Sequence, residues 1–185
     1  MRNKRVIRIV LLGLMLALEI ILSRFLSIST PIVKIGFAFV PVVIVGMLYG
    51  WPWSMAVAAL GDFIGAILFP IGPYFPGYTF SAALSGAFMG IMLFDGGNNV
   101  TVWSPIKAHG WNKLLRCFIA AFSSLLICSL LLDTLWLYLT ASAETVQGLL
   151  PARLIKFVVM LPVQTFVTYG LLSAKARLLP LASKN

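Results

Sequence analysis

The chain has 185 residues, of which 61% are hydrophobic and only 10% are charged, and its mean hydropathy is +1.01. A soluble domain carries about 25% charged residues, so this composition excludes an ordinary water-soluble protein and indicates an integral membrane protein. The net charge of +9 is typical of many nucleic-acid-binding proteins. However, no basic run is interleaved with stacking aromatic residues, so we expect no nucleic acid partner.

Six apolar segments are candidates for membrane-spanning helices, at about 20 residues per span. The first is predicted to be a retained helix rather than a signal peptide, because it runs long and no small-residue cleavage site follows it. Stretches rich in proline, glycine or polar residues separate the segments. The predicted fold is an all-α membrane bundle that forms a single transmembrane domain over residues 1–185, with helices at 6–23, 35–49, 53–69, 78–94, 113–140 and 151–178.

The basic residues are distributed unequally between the two sides of this predicted bundle. Most of the 14 lie on the side that contains both termini, and this side should therefore be cytoplasmic. The exceptions are Arg24, Lys34, Arg153 and Lys156, which are predicted to lie on the outer side. One such residue is readily explained by contact with lipid headgroups. Four of them on the outer face of a small protein indicate an anion-binding site.

Three carboxylates, Glu19, Asp62 and Asp133, lie inside predicted spans, where charged side chains are costly and tend to face the bundle interior. Arg153 and Lys156 begin a polar face of the last helix that continues toward the middle of the span. Together these residues predict a solvated cavity that opens to the outside. The alternative is a structural ion pair between Asp133 and either cation, which does not exclude a cavity.

Aromatic side chains surround the same region. Phe39, Phe75, Tyr78 and Trp136 could belong to the interfacial aromatic belt of a membrane protein. Their association with the four cations instead favours a site for a ligand that is flat and aromatic at one end and anionic at the other. The loop FPIGPYFPGYTF, which includes Thr79, is either a lid over this cavity or a tight connector.

Several kinds of active site have no sequence support. The chain lacks the phosphate-binding GxxxxGK[ST] motif, the HExxH motif and the GxSxG motif, so we expect no ATP hydrolysis, no catalytic residues, no metal ion and no cofactor. Cys117 and Cys128 lie about 16 Å apart along a helix axis and are predicted to be unpaired packing residues. Gly13 and Ala17 form a small-xxx-small pair suited to close helix contact, within the chain or with a partner subunit.

Three stretches together carry a resemblance to a known family: RFLSISTPIVKIGFAFVPVVIVGMLYG, GDFIGAILFPIGPYFPGYTFSAALSG, and LLDTLWL followed by LPARLIKFVVMLPVQ. The chain resembles the substrate-binding S component of energy-coupling factor (ECF) transporters, and specifically the folate-specific members, the FolT family. This resemblance implies a multi-pass subunit of the bacterial cell membrane that captures folate on the outer face. It also implies partners, namely a transmembrane coupling (T) subunit, contacted through Gly13 and Ala17, and two cytoplasmic ATP-binding subunits.

Folate has a flat pterin ring, which an aromatic side chain or Arg24 could stack on, and a glutamate tail with two carboxylates. The residues expected to bind it are Arg24, Lys34, Phe39, Asp62, Phe75, Tyr78, Thr79, Asp133, Trp136, Arg153 and Lys156. Three alternatives remain open at this point. The first is another vitamin or a modified-base precursor as the ligand. The second is a stand-alone secondary transporter or channel. The third is a membrane enzyme, which would need paired carboxylates or a metal site.

Overall fold

The computed structural model describes residues 4–29, 34–70, 74–94, 112–140 and 143–183. Within these ranges the chain is helical except for one antiparallel pair of two-residue strands, in which Ile28–Ser29 (β1) pairs with Lys34–Ile35 (β2). The helices are α1 (Lys4–Arg24), α2 (Phe39–Tyr49), α3 (Trp51–Leu68), α4 (Pro76–Leu93), α5 (Lys113–Ser123), α6 (Asp133–Thr140) and α7 (Ala143–Ser183). A π-helical segment, Ser124–Leu132, joins α5 to α6 without a break.

Four helical stretches of the described chain are long and apolar enough to cross a membrane. They are Arg5–Arg24, Trp51–Leu68, Lys113–Thr140 and Leu150–Ala174, whereas α2 is apolar but shorter. Their outward faces are apolar, since Ile9, Val158 and Phe166 are each about two-thirds exposed. An apolar surface of this extent would be a liability in water and suits contact with lipid. The all-helical membrane class predicted from composition is therefore confirmed.

Proline and glycine set the boundaries of α3 and α4. Gly50 adopts a φ of 87°, which only glycine takes up readily, so the chain turns sharply between α2 and α3. Pro52 and Pro76 lie in the first turns of their helices, where a missing backbone N–H costs nothing. These helices therefore begin two residues before the positions predicted from sequence.

Three predicted boundaries were wrong by more, one of them the end of the last helix, which lies at Ser183 rather than residue 178. The second helix begins at Phe39 rather than residue 35, because Lys34–Ile35 is paired with Ile28–Ser29. The last helix begins at Ala143, so most of the ASAETVQG stretch, predicted as a loop, is helical. Alanine, glutamate and glutamine favour helix, and α7 continues through Pro151 and Pro162. Prolines of this kind are tolerated in membrane helices because neighbouring helices satisfy the freed backbone groups.

The core lies where α2, α4, α5 and α7 meet. Leu172 of α7 is buried there, together with the fully buried Val43, Met47, Met89, Leu93, Cys117 and Ala120. Cys117 and Cys128 are both buried free thiols, as the sequence predicted. The core thus connects α7 to α2 and α4, which also pack against α3.

Very small side chains allow α3 and α4 to approach closely. A Cβ atom added at Gly86 would lie 2.6 Å from the backbone oxygen of Ser54, and one added at Gly90 would overlap the Cα of Trp51. Ser54, which is fully buried, also donates a 2.9 Å hydrogen bond to the carbonyl oxygen of Val42. This close contact holds α3 and α4 in one fixed relation, which in turn positions the ends of both helices.

Arg116 binds the C-terminal end of α4. Its side chain is 6% exposed, and its Nε and Nη2 donate hydrogen bonds of 3.2 and 3.0 Å to the carbonyl oxygen of Met92. The last carbonyls of a helix lack partners within the helix and carry partial negative charge, so a buried guanidinium there satisfies both. Arg116 therefore has a structural role as well as contributing to the charge bias of the chain.

Candidate functional site

One end of the bundle gathers most of the residues predicted to bind a ligand. This end, called the upper end below, contains the last residue of α1, the end of α3, the start of α4, the part of α6 from Asp133 to Trp136 and the part of α7 around Arg153 and Lys156. Three groups of side chains occupy it: a carboxylate network on Asp62, an aromatic pair beside Ser81, and a pair of cations on α7.

The first group joins α3 to α4 through Asp62. Thr79 Oγ1 donates a 2.8 Å hydrogen bond to Asp62 Oδ2, and the Tyr74 hydroxyl lies 3.1 Å from Thr79 Oγ1. Because the single proton of the threonine hydroxyl is directed at Asp62, Tyr74 must donate to Thr79. Thr79 is the hydrogen-bond donor to Asp62 among the described contacts, and a carboxylate offers about four acceptor positions.

The second group is built around the indole of Trp136. The centroid of its ring lies 5.7 Å from that of the Phe75 ring, which in turn lies 6.3 Å from the centroid of the Tyr78 ring. Trp136 Nε1 donates a 3.0 Å hydrogen bond to Ser81 Oγ, and Ser81 donates in turn to the carboxylate of Asp133. The indole N–H of Trp136 is thereby linked, through Ser81, to Asp133, the second carboxylate of the region.

Gly77 makes the approach of these rings possible. A Cβ atom at this position would lie 2.5 Å from the Phe75 ring and 2.6 Å from the Trp136 ring. The first turn of α4 therefore supplies a surface on which both rings rest. The sequence did not single out this glycine, although its place in FPIGPYFPGYTF puts it beside Tyr78 and Thr79.

The third group contains the two cations of α7. Arg153 Nη1 donates 3.3 Å hydrogen bonds to the carbonyl oxygen of Ser129 and to Thr134 Oγ1. Lys156 Nζ donates a 3.1 Å hydrogen bond to Ser129 Oγ. Both cations also interact electrostatically with Asp133. Asp133 therefore lies within electrostatic reach of both cations, and the structural ion pair considered from sequence stays a prediction.

The two carboxylates of the site are themselves neighbours. Asp62 and Asp133 are near enough for their charges to interact, and Tyr78 lies within reach of the charges of both Asp133 and Arg153. The three groups therefore belong to one region of the bundle. Among the described residues, no cluster of three or more histidine, cysteine, aspartate and glutamate side chains could hold a metal ion.

Arg24 has a separate position at the upper end. Its Nη1 donates a 3.2 Å hydrogen bond to the carbonyl oxygen of Phe69, and its guanidinium lies over Gly65. Within the described part of the chain, the buried Nε of Arg24 and that of Arg153 have no hydrogen-bond partner. A buried donor without a partner is rare and calls for an explanation, and an anionic ligand would supply the missing acceptor.

The remaining predicted residues are not joined to these groups by a described contact. Phe39 begins α2, where it packs against the core and lies 6.3 Å from the ring of Phe37. The backbone of Lys34 pairs with Ser29 in the short ladder, and its side chain lies outside the described part of the structure. Residues 71–73, in the middle of the predicted lid, also lie outside it.

Sequence reasoning did not select three hydroxyl residues that connect the site. Ser81 links Trp136 to Asp133, Ser129 contacts both cations of α7, and Thr134 accepts from Arg153. A single serine or threonine in an apolar helix gives no signal of its own, because such residues commonly pack against neighbouring helices. For Thr134, the one available signal was its position directly after Asp133 in the sequence.

A cavity lies between α5 and α7, away from these groups. Its volume is about 500 Å³, and most of the residues that line it are apolar, including Leu115, Phe118, Pro162 and Phe166. None of the predicted binding residues lines it. Its apolar walls match lipid chains better than a charged ligand.

The surface of α1 carries the two small residues that the sequence predicted for close helix contact. Gly13 and Ala17 are both exposed, and a Cβ atom added at Gly13 would meet nothing within 4 Å. The small residues therefore do not serve packing within the described chain. They leave a shallow surface on which another helix could lie closely.

Comparisons with known proteins identify the family. The family model described as "ECF transporter, substrate-specific component" matches residues 7–172. The folate transporter FolT of Clostridium novyi (strain NT) is 34% identical over 167 residues, which cover 90% of this chain and 88% of the relative.

A second relative and a solved structure agree with this match. The folate transporter FolT of Leuconostoc mesenteroides subsp. mesenteroides is 33% identical over 168 residues, covering 89% of this chain and 83% of the relative. A crystal structure of FolT bound with folic acid is similar with a TM-score of 0.74 at 30% identity, covering 89% of this chain and 91% of that one. This chain therefore belongs to the family of substrate-specific components of ECF transporters.

Proposed function

We propose that this chain captures folate at its upper end, as the S component of an ATP-dependent vitamin importer in the bacterial cell membrane. The observation that carries the proposal is the grouping of a ring pair, an open carboxylate and two cations at one end of the bundle. Two relatives that are named folate transporters and a similar structure that contains folic acid support the choice of ligand.

The carboxylate of Asp62 suits the pterin end of folate. The amino-pyrimidinone edge of the pterin presents neighbouring N–H donors, which an ionised carboxylate accepts strongly. Asp62 has a partner in Thr79 but keeps further acceptor positions. Asp133, by contrast, interacts with Lys156 and Arg153 and already accepts from Ser81. Of the two acids, Asp62 is thus the better acceptor for the pterin, and Asp133 holds the cations.

The cations suit the glutamate tail. Lys156 uses one of its three N–H donors on Ser129, and Arg153 retains a buried Nε that no described residue contacts by a hydrogen bond. Both can pair with a carboxylate while Asp133 limits their mutual repulsion. Phe75 and Trp136 would cover the flat part of the ligand by stacking. Arg24, Lys34, Phe39, Tyr78 and Thr79 would complete the site.

The proposed arrangement in the membrane follows the distribution of basic residues. We infer six membrane spans with both termini in the cytoplasm, so that the upper end faces outward. The exposed surface of Gly13 and Ala17 on α1 would contact the transmembrane coupling subunit, and two ATP-binding subunits would drive transport. The chain itself has no nucleotide-binding motif.

Uptake into proteoliposomes tests the assignment to an ATP-driven importer. The chain is reconstituted with and without the coupling and ATP-binding subunits, and entry of labelled folate is measured with ATP inside. The proposal predicts uptake only when all subunits and ATP are present. Equal uptake by the chain alone, driven by an ion gradient, would identify a secondary transporter instead.

A further inference from the structure

The π-helical segment Ser124–Leu132 lies directly beside the two cations of α7. In a π-helix each backbone N–H bonds to the carbonyl five residues earlier, rather than four, and such segments are frequent at functional sites. This segment is held at its start by a 2.6 Å hydrogen bond between Ser124 Oγ and Ser85 Oγ of α4. Near its other end, Ser129 contacts both Arg153 and Lys156.

The change from π to α bonding accounts for the availability of the Ser129 carbonyl. The last bond of the π type runs from the Asp133 N–H to the carbonyl oxygen of Cys128. In α6 each backbone N–H again bonds to the carbonyl four residues earlier. At this change the next carbonyl after Cys128, that of Ser129, receives no backbone N–H. Arg153 Nη1 lies 3.3 Å from this oxygen. The guanidinium thus satisfies a carbonyl that the helix itself leaves open.

The same residue supplies a second contact through its side chain. Ser129 Oγ accepts the 3.1 Å hydrogen bond from Lys156 Nζ, so one residue contacts one cation with its backbone and the other with its hydroxyl. Long lysine and arginine side chains lose considerable rotamer freedom when a ligand fixes them. A contact that orders them before the ligand arrives reduces this loss and strengthens binding.

We infer that Ser129, placed by the π-helical segment, is a positioning residue that orders Arg153 and Lys156 for the anionic tail of the ligand. The inference rests on the proposed function, because it assigns these cations to the glutamate end of folate. It predicts that the hydroxyl of Ser129 matters for ligands that carry the tail. It should matter little for pteroate, which has the pterin and benzoate parts without the glutamate.

The test compares affinities of folate and pteroate for the purified protein in detergent. Ser129→Ala removes the acceptor for Lys156 and keeps the backbone carbonyl. We expect its affinity for folate to fall roughly three- to tenfold, because the Lys156 side chain must then be ordered when the ligand binds, with pteroate changed by less than about twofold. Ser129→Thr restores a hydroxyl and should recover most of the affinity for folate.

Ser123→Ala is the matched control, since the Ser123 hydroxyl bonds only to the carbonyl of Ala120 in its own helix among the described contacts. It should bind both ligands as the unaltered protein does. Equal weakening of folate and pteroate by Ser129→Ala, or no change with either, would overturn the positioning role while leaving the proposed function intact. Failure of the unaltered protein to bind folate would overturn both.

Discussion

The replacement of Asp62 by asparagine tests the assignment of the two carboxylates. The change keeps the size of the side chain and an oxygen that can accept from Thr79, which now donates over 2.8 Å. It removes the negative charge, and it presents an NH₂ group where the carboxylate has a second oxygen. The fold of α3 should therefore be preserved while recognition of the pterin edge is lost.

The expected magnitude follows from the hydrogen bonds involved. A bond to a charged group contributes about 1.5–3 kcal/mol, against about 0.5–1.5 kcal/mol between neutral groups. The pterin donor that meets the remaining oxygen would lose about 1 kcal/mol, and the donor that meets the new NH₂ group would lose its whole bond of about 1.5–3 kcal/mol. We therefore expect Asp62→Asn to weaken folate binding by about 2.5–4 kcal/mol, or roughly 60- to 700-fold.

Isothermal titration calorimetry of the detergent-solubilised protein measures this change directly. Asp62→Asn should weaken folate and pteroate by similar factors, because both ligands carry the pterin. Asp133→Asn is the matched control, since it neutralises the acid beside Lys156 and Arg153 and should leave pteroate binding within about threefold of the unaltered protein. The assignment is wrong if Asp62→Asn binds folate normally, or if only Asp133→Asn loses pteroate.

Three further predictions concern stability and assembly. Gly90→Ala should lower the melting temperature clearly, because the new Cβ meets the backbone of Trp51, whereas Gly170→Ala, with nothing within 4 Å, should not; thermal unfolding by tryptophan fluorescence compares them. Arg116→Met should lower the free energy of unfolding by about 1.5–3 kcal/mol, because the carbonyl oxygen of Met92 loses two charged donors; an unchanged midpoint of chemical denaturation would contradict this. Gly13→Leu should leave folate binding unchanged and prevent co-purification with the coupling subunit, and recovery of the complete complex would refute that role for α1.

Much of the helical architecture was predictable because proline and glycine mark the chain so clearly. Pro52 and Pro76 placed the starts of α3 and α4 within two residues, and Gly50 marked the turn before α3. The start of α7 was wrong because Pro151 was taken as the beginning of a helix that in fact runs through it. The π-helical segment gave no signal, since SLLICSLLL has the composition of any apolar span.

The site was predictable to the extent that charge inside an apolar segment has few explanations. Asp62, Asp133, Arg153 and Lys156 stood out on that ground, and the structure brings them into one region. The hydroxyl groups that connect them did not stand out. Ser129, for example, is distinguished only by its place beside two cations and inside a π-helical segment, neither of which periodicity reveals.

The most direct test of the central claim is a titration of the purified, unaltered protein with folate, followed by tryptophan fluorescence. Trp136 lies in the ring pair that we assign to the ligand, so its emission should report occupancy. We predict saturable quenching with a Kd below roughly 1 μM, and none with riboflavin or thiamine. The account would be contradicted if folded protein showed no change in emission, and no heat of binding by calorimetry, with folate or its reduced forms.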